Sequence, residues 1–243
     1  MTHEFDLAQE LTAGVQERTG AWEFIRRFAQ NWVAPLRDED GWSKADLASA
    51  EERLGVPLPA ALREAYRLFG RREDLTSNHD VLLGPAELCL DDREEALVFR
   101  HENQGAVSWG ILIADLGHPD PPVVIRADLA DKQAETWDFW LDRLSSAFIE
   151  IVLSESLQSP EGLCDFLGEL DEENLALLEE HCTQLAFPEY PVSQEPPGIR
   201  WFAGPDALLR DDGRMVLSVR ARTEHALDHV RDLLPGDWLH DYR

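Results

Sequence analysis

The side chains in this chain that could do chemistry are mostly carboxylates, and they come in runs. Asp91-Asp92-Arg93-Glu94-Glu95 is one such run, and residues 169–173 form another with four acids in five positions. Two carboxylates act as general acid and base only when their surroundings push their proton affinities apart. A run along a solvated face does not do this. What such a run offers is electrostatic: a surface that draws in cations. The carboxylates of Asp91, Asp92, Glu94 and Glu95 are therefore read as candidate partner contacts.

The other reactive types carry weaker signals. His225 and His229 are four apart, which places both on one face of a helix. The intervening Ala226-Leu227-Asp228 lacks the general-base Glu of a zinc-protease helix, and no third ligand is evident, so two solvated histidines are expected. His181-Cys182 are adjacent, not spaced to share a tetrahedral ion, and read as a helix end. Cys89, Cys164 and Cys182 have no flanking helix start or basic cluster to lower a thiol pKa, and are expected to pack. Three cysteines without a CxxC pair imply a reducing compartment and no disulfide framework. There is no GxSxG elbow and no GxxxxGK[ST] loop, and Ser108-Trp109-Gly110 lacks the required frame. His101-Glu102-Asn103 closes an expected strand and is the polar cluster to inspect for a pocket, although the same residues suit a turn. Glu102 and Asn103 join the candidate contacts. So does Trp109, which must face one side of its strand or the other and would anchor a partner if exposed. No catalytic set, metal or cofactor is expected.

The elements that must carry these residues can be read from periodicity. Residues 1–19 are expected to be a loosely held segment. Trp22, Ile25, Phe28 and Trp32 then recur at helical spacing up to Pro35. Ser43 with Asp46 is capping-box-like, Leu47, Ala50 and Leu54 line a face, and Gly55 followed by Pro57 and Pro59 stops that helix. A second helix starts at Pro59, carries Leu62, Ala65, Tyr66 and Phe69, and closes at Gly70. The period then shortens. Residues 81–83, 96–100, 107–114 and 123–125 read as strands, with Asn103-Gln104-Gly105 as a turn. Trp137, Trp140, Leu141, Leu144, Phe148, Ile151 and Val152 predict a long amphipathic helix over 135–157. Residues 160–182 read as a second acidic helical stretch. Residues 187–197 are a proline-rich connector, and 199–202, 207–210 and 215–219 are strands, the last two joined by Asp211-Asp212-Gly213. Thr223 caps a final helix. The order predicts an α+β fold: an antiparallel sheet flanked by helices over 20–157, then a small strand-hairpin-helix module within 158–243.

The 48 acidic against 22 basic residues give a net charge of −26, which repels nucleic acid and anionic membranes alike. No early basic stretch leads an apolar run, so a cytoplasmic protein without a secretory signal is expected. No apolar stretch is long enough to span a bilayer.

The stretch from Glu51-Glu52-Arg53-Leu54-Gly55-Val56-Pro57-Leu58-Pro59 through Leu62-Arg63-Glu64-Ala65-Tyr66-Arg67-Leu68-Phe69-Gly70 resembles the N-terminal signature of the SUKH superfamily. Trp109-Gly110 and the aromatic segment around Trp137 and Trp140 look like the remainder of that domain, over roughly 20–157. The resemblance implies a twisted antiparallel sheet with packed helices and no shared catalytic set. It implies the role of bacterial immunity members, which bind and block a toxin, often a nuclease or nucleic-acid deaminase. A basic toxin is the partner expected here. The alternative, on the pattern of the fungal members, is a regulatory or scaffold domain with several weaker partners. An enzyme would need a deep pocket with convergent polar groups, and nucleic-acid mimicry would need carboxylates at phosphate-like spacing.

Overall fold

A computed structural model describes residues 5–160, 162–190 and 198–240. The chain forms two compact units. Residues up to Gln16, carrying helix α1 (Leu7–Gly14), group with Ser156 onward, and Glu17–Glu155 make the other. The start of the chain departs from expectation. Asp6 caps α1 by accepting from the Gln9 N–H, and Leu7 and Leu11 are buried, so residues 6–14 are built into their unit and not loosely held, while residues 1–4 lie outside the described residues.

In the Glu17–Glu155 unit, α2 (Arg18–Trp32), α3 (Lys44–Leu54), α4 (Ala60–Phe69) and the short α5 (Glu73–Thr76) precede the strands. The local signals operate as read. The Ser43 hydroxyl accepts from the Asp46 N–H, and the Asp46 carboxylate accepts from the Ser43 N–H. Gly55 ends α3 at φ 72°, a left-handed conformation that costs glycine nothing. Strands β1 (Val81–Leu82), β2 (Cys89–Leu90), β3 (Ala96–His101), β4 (Val107–Leu112), β5 (Val123–Ala127) and β6 (Asp138–Leu141) form one antiparallel sheet in the order β1-β3-β4-β5-β6, with β2 also paired to β3. Helix α6 (Leu144–Leu157) follows.

The expected helix over 135–157 is therefore half right. Residues 138–141 are a strand, and the helix begins at Leu144. The helix start is set from a distance: the Asp120 carboxylate accepts both the N–H and the hydroxyl of Ser145. Apolar residues at 137, 140, 141 and 144 fit a helical stripe, but the pairing of β6 with β5 takes 140 and 141 into a strand, and Trp137 lies just before it. The core centres on Phe148 of α6, whose ring packs on Trp22, Phe69 and Phe99 with centroids 5.7–6.1 Å apart.

Register fixes what each face of the sheet carries. Arg100 pairs with Trp109, which pairs with Ile125, while His101 pairs with Ser108 and Ser108 with Arg126. Residues directly opposite share a face. The Arg100–Trp109–Ile125 row lies on the α6 side, where Arg100 meets the carboxylates of Glu150 and Glu155. The His101–Ser108–Arg126 row lies on the other face. A bulge at Phe99, between Val98 and Arg100, switches the alternation of β3 and lets both Phe99 and Arg100 turn toward the helical layer.

The other unit has its own antiparallel sheet, formed by β7 (Leu163–Leu167), β8 (Thr183–Gln184), β9 (Ile199–Gly204), β10 (Ala207–Asp212) and β11 (Leu217–Ala221) in the order β7-β11-β10-β9-β8. Helices α7 (Glu172–His181) and α8 (Glu224–Leu233) pack with it around Phe202, Leu209, Val219, Leu178 and Val230. Here too a predicted helix gives way in part to a strand, since 163–167 pairs with β11. The strand alternation is hidden in sequence because Asp165 sits among Leu163 and Leu167. It is fully buried, and takes Arg231 at 2.5 Å and the His240 N–H. Within the expected connector, 191–197 lies outside the described residues. The architecture is α+β, and no helix among the described residues is long and apolar enough to cross a membrane.

Candidate functional site

The face of the first sheet that turns away from α6 carries a concave site. Its floor is the row His101, Ser108 and Arg126. Its walls are β2 with the turn after it, and the segment 128–137. Together they enclose a cavity of about 340 Å³ lined by residues including Cys89, Asp92, His101, Arg126, Asp128 and Lys132.

Asp91 organises one wall. One carboxylate oxygen accepts the Glu95 and Ala96 N–H groups at 2.6 and 3.0 Å, which starts β3. The other accepts Arg126 at 2.8 Å and the Trp137 indole N–H at 3.1 Å. The Arg126 guanidinium lies 4.8 Å above the Trp137 ring, and that ring in turn covers Gly110 of β4, where a Cβ would meet it at 3.0 Å. Arg126 also reaches Asp92 at 3.2 Å. Glu135 anchors the second wall by accepting from the Leu129 N–H and from Lys132, which also contacts Asp128. Arg93 ties the walls together through the carbonyls of Glu135 and Lys132.

The electrostatics follow from these contacts. Burial opposes the charge on Asp91, but hydrogen bonds from Ala96, Trp137 and Glu95 and the Arg126 charge outweigh it, so the carboxyl titrates below its ordinary range. The Lys132 hydrogen bond, aided by the Leu129 N–H, likewise holds Glu135 low. Burial and the nearby Arg126 charge push His101 down, which keeps the imidazole neutral at neutral pH. Its Nδ1 lies 3.0 Å from the Ser108 hydroxyl. Burial pushes the Cys89 thiol up, against the pull of Arg53. With thiol and imidazole both uncharged, the site offers charge and hydrogen bonds more than an activated nucleophile. Its lining holds the acids Asp91, Asp92, Asp128 and Glu135 against the fixed cations Arg126 and Lys132. In the segments that supply the walls and in β6, Glu94, Glu95, Asp131 and Asp138 are exposed. Two apolar side chains are exposed as well, Phe139 of β6, which lies opposite Val124, at 61% and Leu129 at 41%.

The structure separates the residues singled out from sequence. Asp92 lines the cavity and is exposed, and Glu94 and Glu95 are exposed in the turn that follows it. Asp91, next to them, is buried and holds the wall, so it does not offer a contact surface. Glu102 and Asn103 lie at the β3–β4 turn, beside His79 and Asp80. Trp109 is buried on the opposite face, between the Arg100 guanidinium at 4.6 Å and the Trp140 ring at 5.9 Å, so it cannot serve as an exposed anchor. Arg126, Glu135, Lys132 and Phe139 were missed. A lone arginine ending the apolar run of β5 was a signal for the first, whereas Phe139 was hidden by the helical reading of its segment. His225 and His229 are exposed on α8. Cys182 is buried at the end of α7, with its thiol pushed up to about 11.

Comparison of the chain with protein-family models, with curated proteins and with solved structures gives no match.

Proposed function

We propose that this is an immunity-type binding protein that acts in the cytoplasm, capturing a basic toxin of the nuclease or deaminase class and covering its active or substrate-binding surface. The observation that carries this reading is the composition of the open sheet face, where four acids against two fixed cations line a braced cavity and Phe139, opposite Val124 on that same face, stands exposed. An exposed aromatic ring ringed by polar groups is the arrangement that concentrates binding energy at protein interfaces. The carboxylates add long-range attraction for a cationic surface, which speeds capture. The SUKH-like residues 51–70 support the same assignment. Occlusion needs no bond to be made or broken in the partner.

The test is binding and inhibition with toxin domains encoded beside the gene. A one-to-one complex with nanomolar or tighter Kd, about −12 kcal/mol, is expected. Phe139→Ala is expected to weaken it at least tenfold, and raising the salt concentration should weaken it too. Micromolar binding to several unrelated partners would instead establish the scaffold reading, and turnover of a substrate would end the binding-only account.

A further inference from the structure

At the β1 edge of the same sheet, β1 pairs with β3 so that Val81 lies opposite His101. This register joins the turn before β1 to the turn after β3. It gathers His79, Asp80 and Glu102 so that one nitrogen or oxygen from each lies within 4.8 Å of the others. We propose that these three side chains form a binding site for a divalent transition-metal ion, of which zinc is the best match. One imidazole with two carboxylates is a mixed nitrogen and oxygen set, which favours a borderline ion over calcium or magnesium. The Asn103 amide lies 3.2 Å from both His79 ring nitrogens, a polar neighbour at the edge of the cluster.

Two features of the surroundings support this. The first is charge. Arg100, 3% exposed, is held by Asp80 at 3.1 Å and by Glu155, 1% exposed, at 2.5 Å. With Glu150 at 3.7 Å, three carboxylates face one guanidinium and leave an excess of acidic groups largely out of water, and Glu102 adds another beside them. A dication at the cluster balances that excess. The second is preorganisation. The Glu155 carboxylate accepts the His79 and Asp80 N–H groups at 2.7 and 3.2 Å, and the Gln104 and Ala106 N–H groups fix Glu102 at 2.9 and 3.0 Å. Such outer contacts orient ligands for a metal.

Calorimetric titration of the metal-stripped full chain with Zn²⁺, and separately with Ca²⁺, tests the site. One equivalent of zinc with micromolar or tighter Kd is expected, with calcium at least tenfold weaker. His79→Ala and Glu102→Gln should each weaken zinc about tenfold or more. Broadening of the His79 ring and Asn103 amide signals by Mn²⁺ gives a readout on the unmutated protein. No zinc uptake, equal affinity for the two ions, uptake indifferent to both substitutions, or broadening centred elsewhere would each overturn the proposal. Toxin binding is measured separately, so loss of one reading leaves the other standing.

Discussion

Replacing Asp91 by Asn removes one charge and otherwise keeps the shape of the side chain, and the geometry around it sets the outcome. The amide oxygen can still accept from Glu95 and Ala96, which the wild-type oxygen takes at 2.6 and 3.0 Å. The amide nitrogen, however, is a donor placed against two donors, the Arg126 guanidinium at 2.8 Å and the Trp137 indole at 3.1 Å. Two hydrogen bonds are lost, one of them charged, and donors are left facing donors. Each such loss costs about 1–3 kcal/mol, so destabilisation of about 3 kcal/mol is expected. For a chain of this size that is a melting temperature lower by roughly 6–12 °C. Thermal unfolding followed by tryptophan fluorescence, which also reports on Trp137, measures it. Asp92→Asn is the control: its side chain is 73% exposed, and a change within about 0.5 kcal/mol is expected. Equal effects of the two substitutions, or a change below about 1 kcal/mol for Asp91→Asn, would refute the assigned role. The pH dependence has a fixed sign. The folded-state pKa of Asp91 lies below its unfolded value. Its stabilisation is therefore fully present above the ordinary carboxylate pKa of about 3.9 and is lost as pH falls through the folded value. Wild type and Asp91→Asn should differ by a constant amount at neutral pH and converge only in acid.

Other outcomes follow from the same geometry. Phe139→Ala should leave stability within about 0.5 kcal/mol, because the ring is already mostly in water, while weakening partner binding; unfolding and binding measured on one preparation separate the two. Gly110→Ala should cost about 1–3 kcal/mol and shift the tryptophan emission, since the new methyl meets the Trp137 ring at 3.0–3.1 Å and the Leu97 carbonyl at 3.2 Å. Ser43→Ala removes the acceptor for the Asp46 N–H and should destabilise by about 0.5–2 kcal/mol in urea unfolding. Cys182, with its thiol raised to about 11, should alkylate at pH 8 on the order of a hundredfold more slowly in the native protein than after denaturation, as followed by mass spectrometry.

The sequence by itself determined what depends on neighbours in the chain. The Ser43–Asp46 box, the left-handed stop at Gly55, the apolar face of α4 and the Thr223 cap of α8 are each written within a few residues, so spacing alone reveals them. It also set the surplus of negative charge. Tertiary structure decided what depends on distant partners. Residues 138–141 became a strand because β5 offered an edge, and α6 begins where Asp120, 25 residues earlier, caps it. Asp91 and Asp92 are indistinguishable in sequence. One is buried because Arg126 and Trp137, 35 and 46 positions away, satisfy it, while the other stays in water. A short apolar stretch fits either period, and a carboxylate leaves solvent only where a cation and enough donors are already waiting. Both are properties of contacts that exist only after the chain has folded.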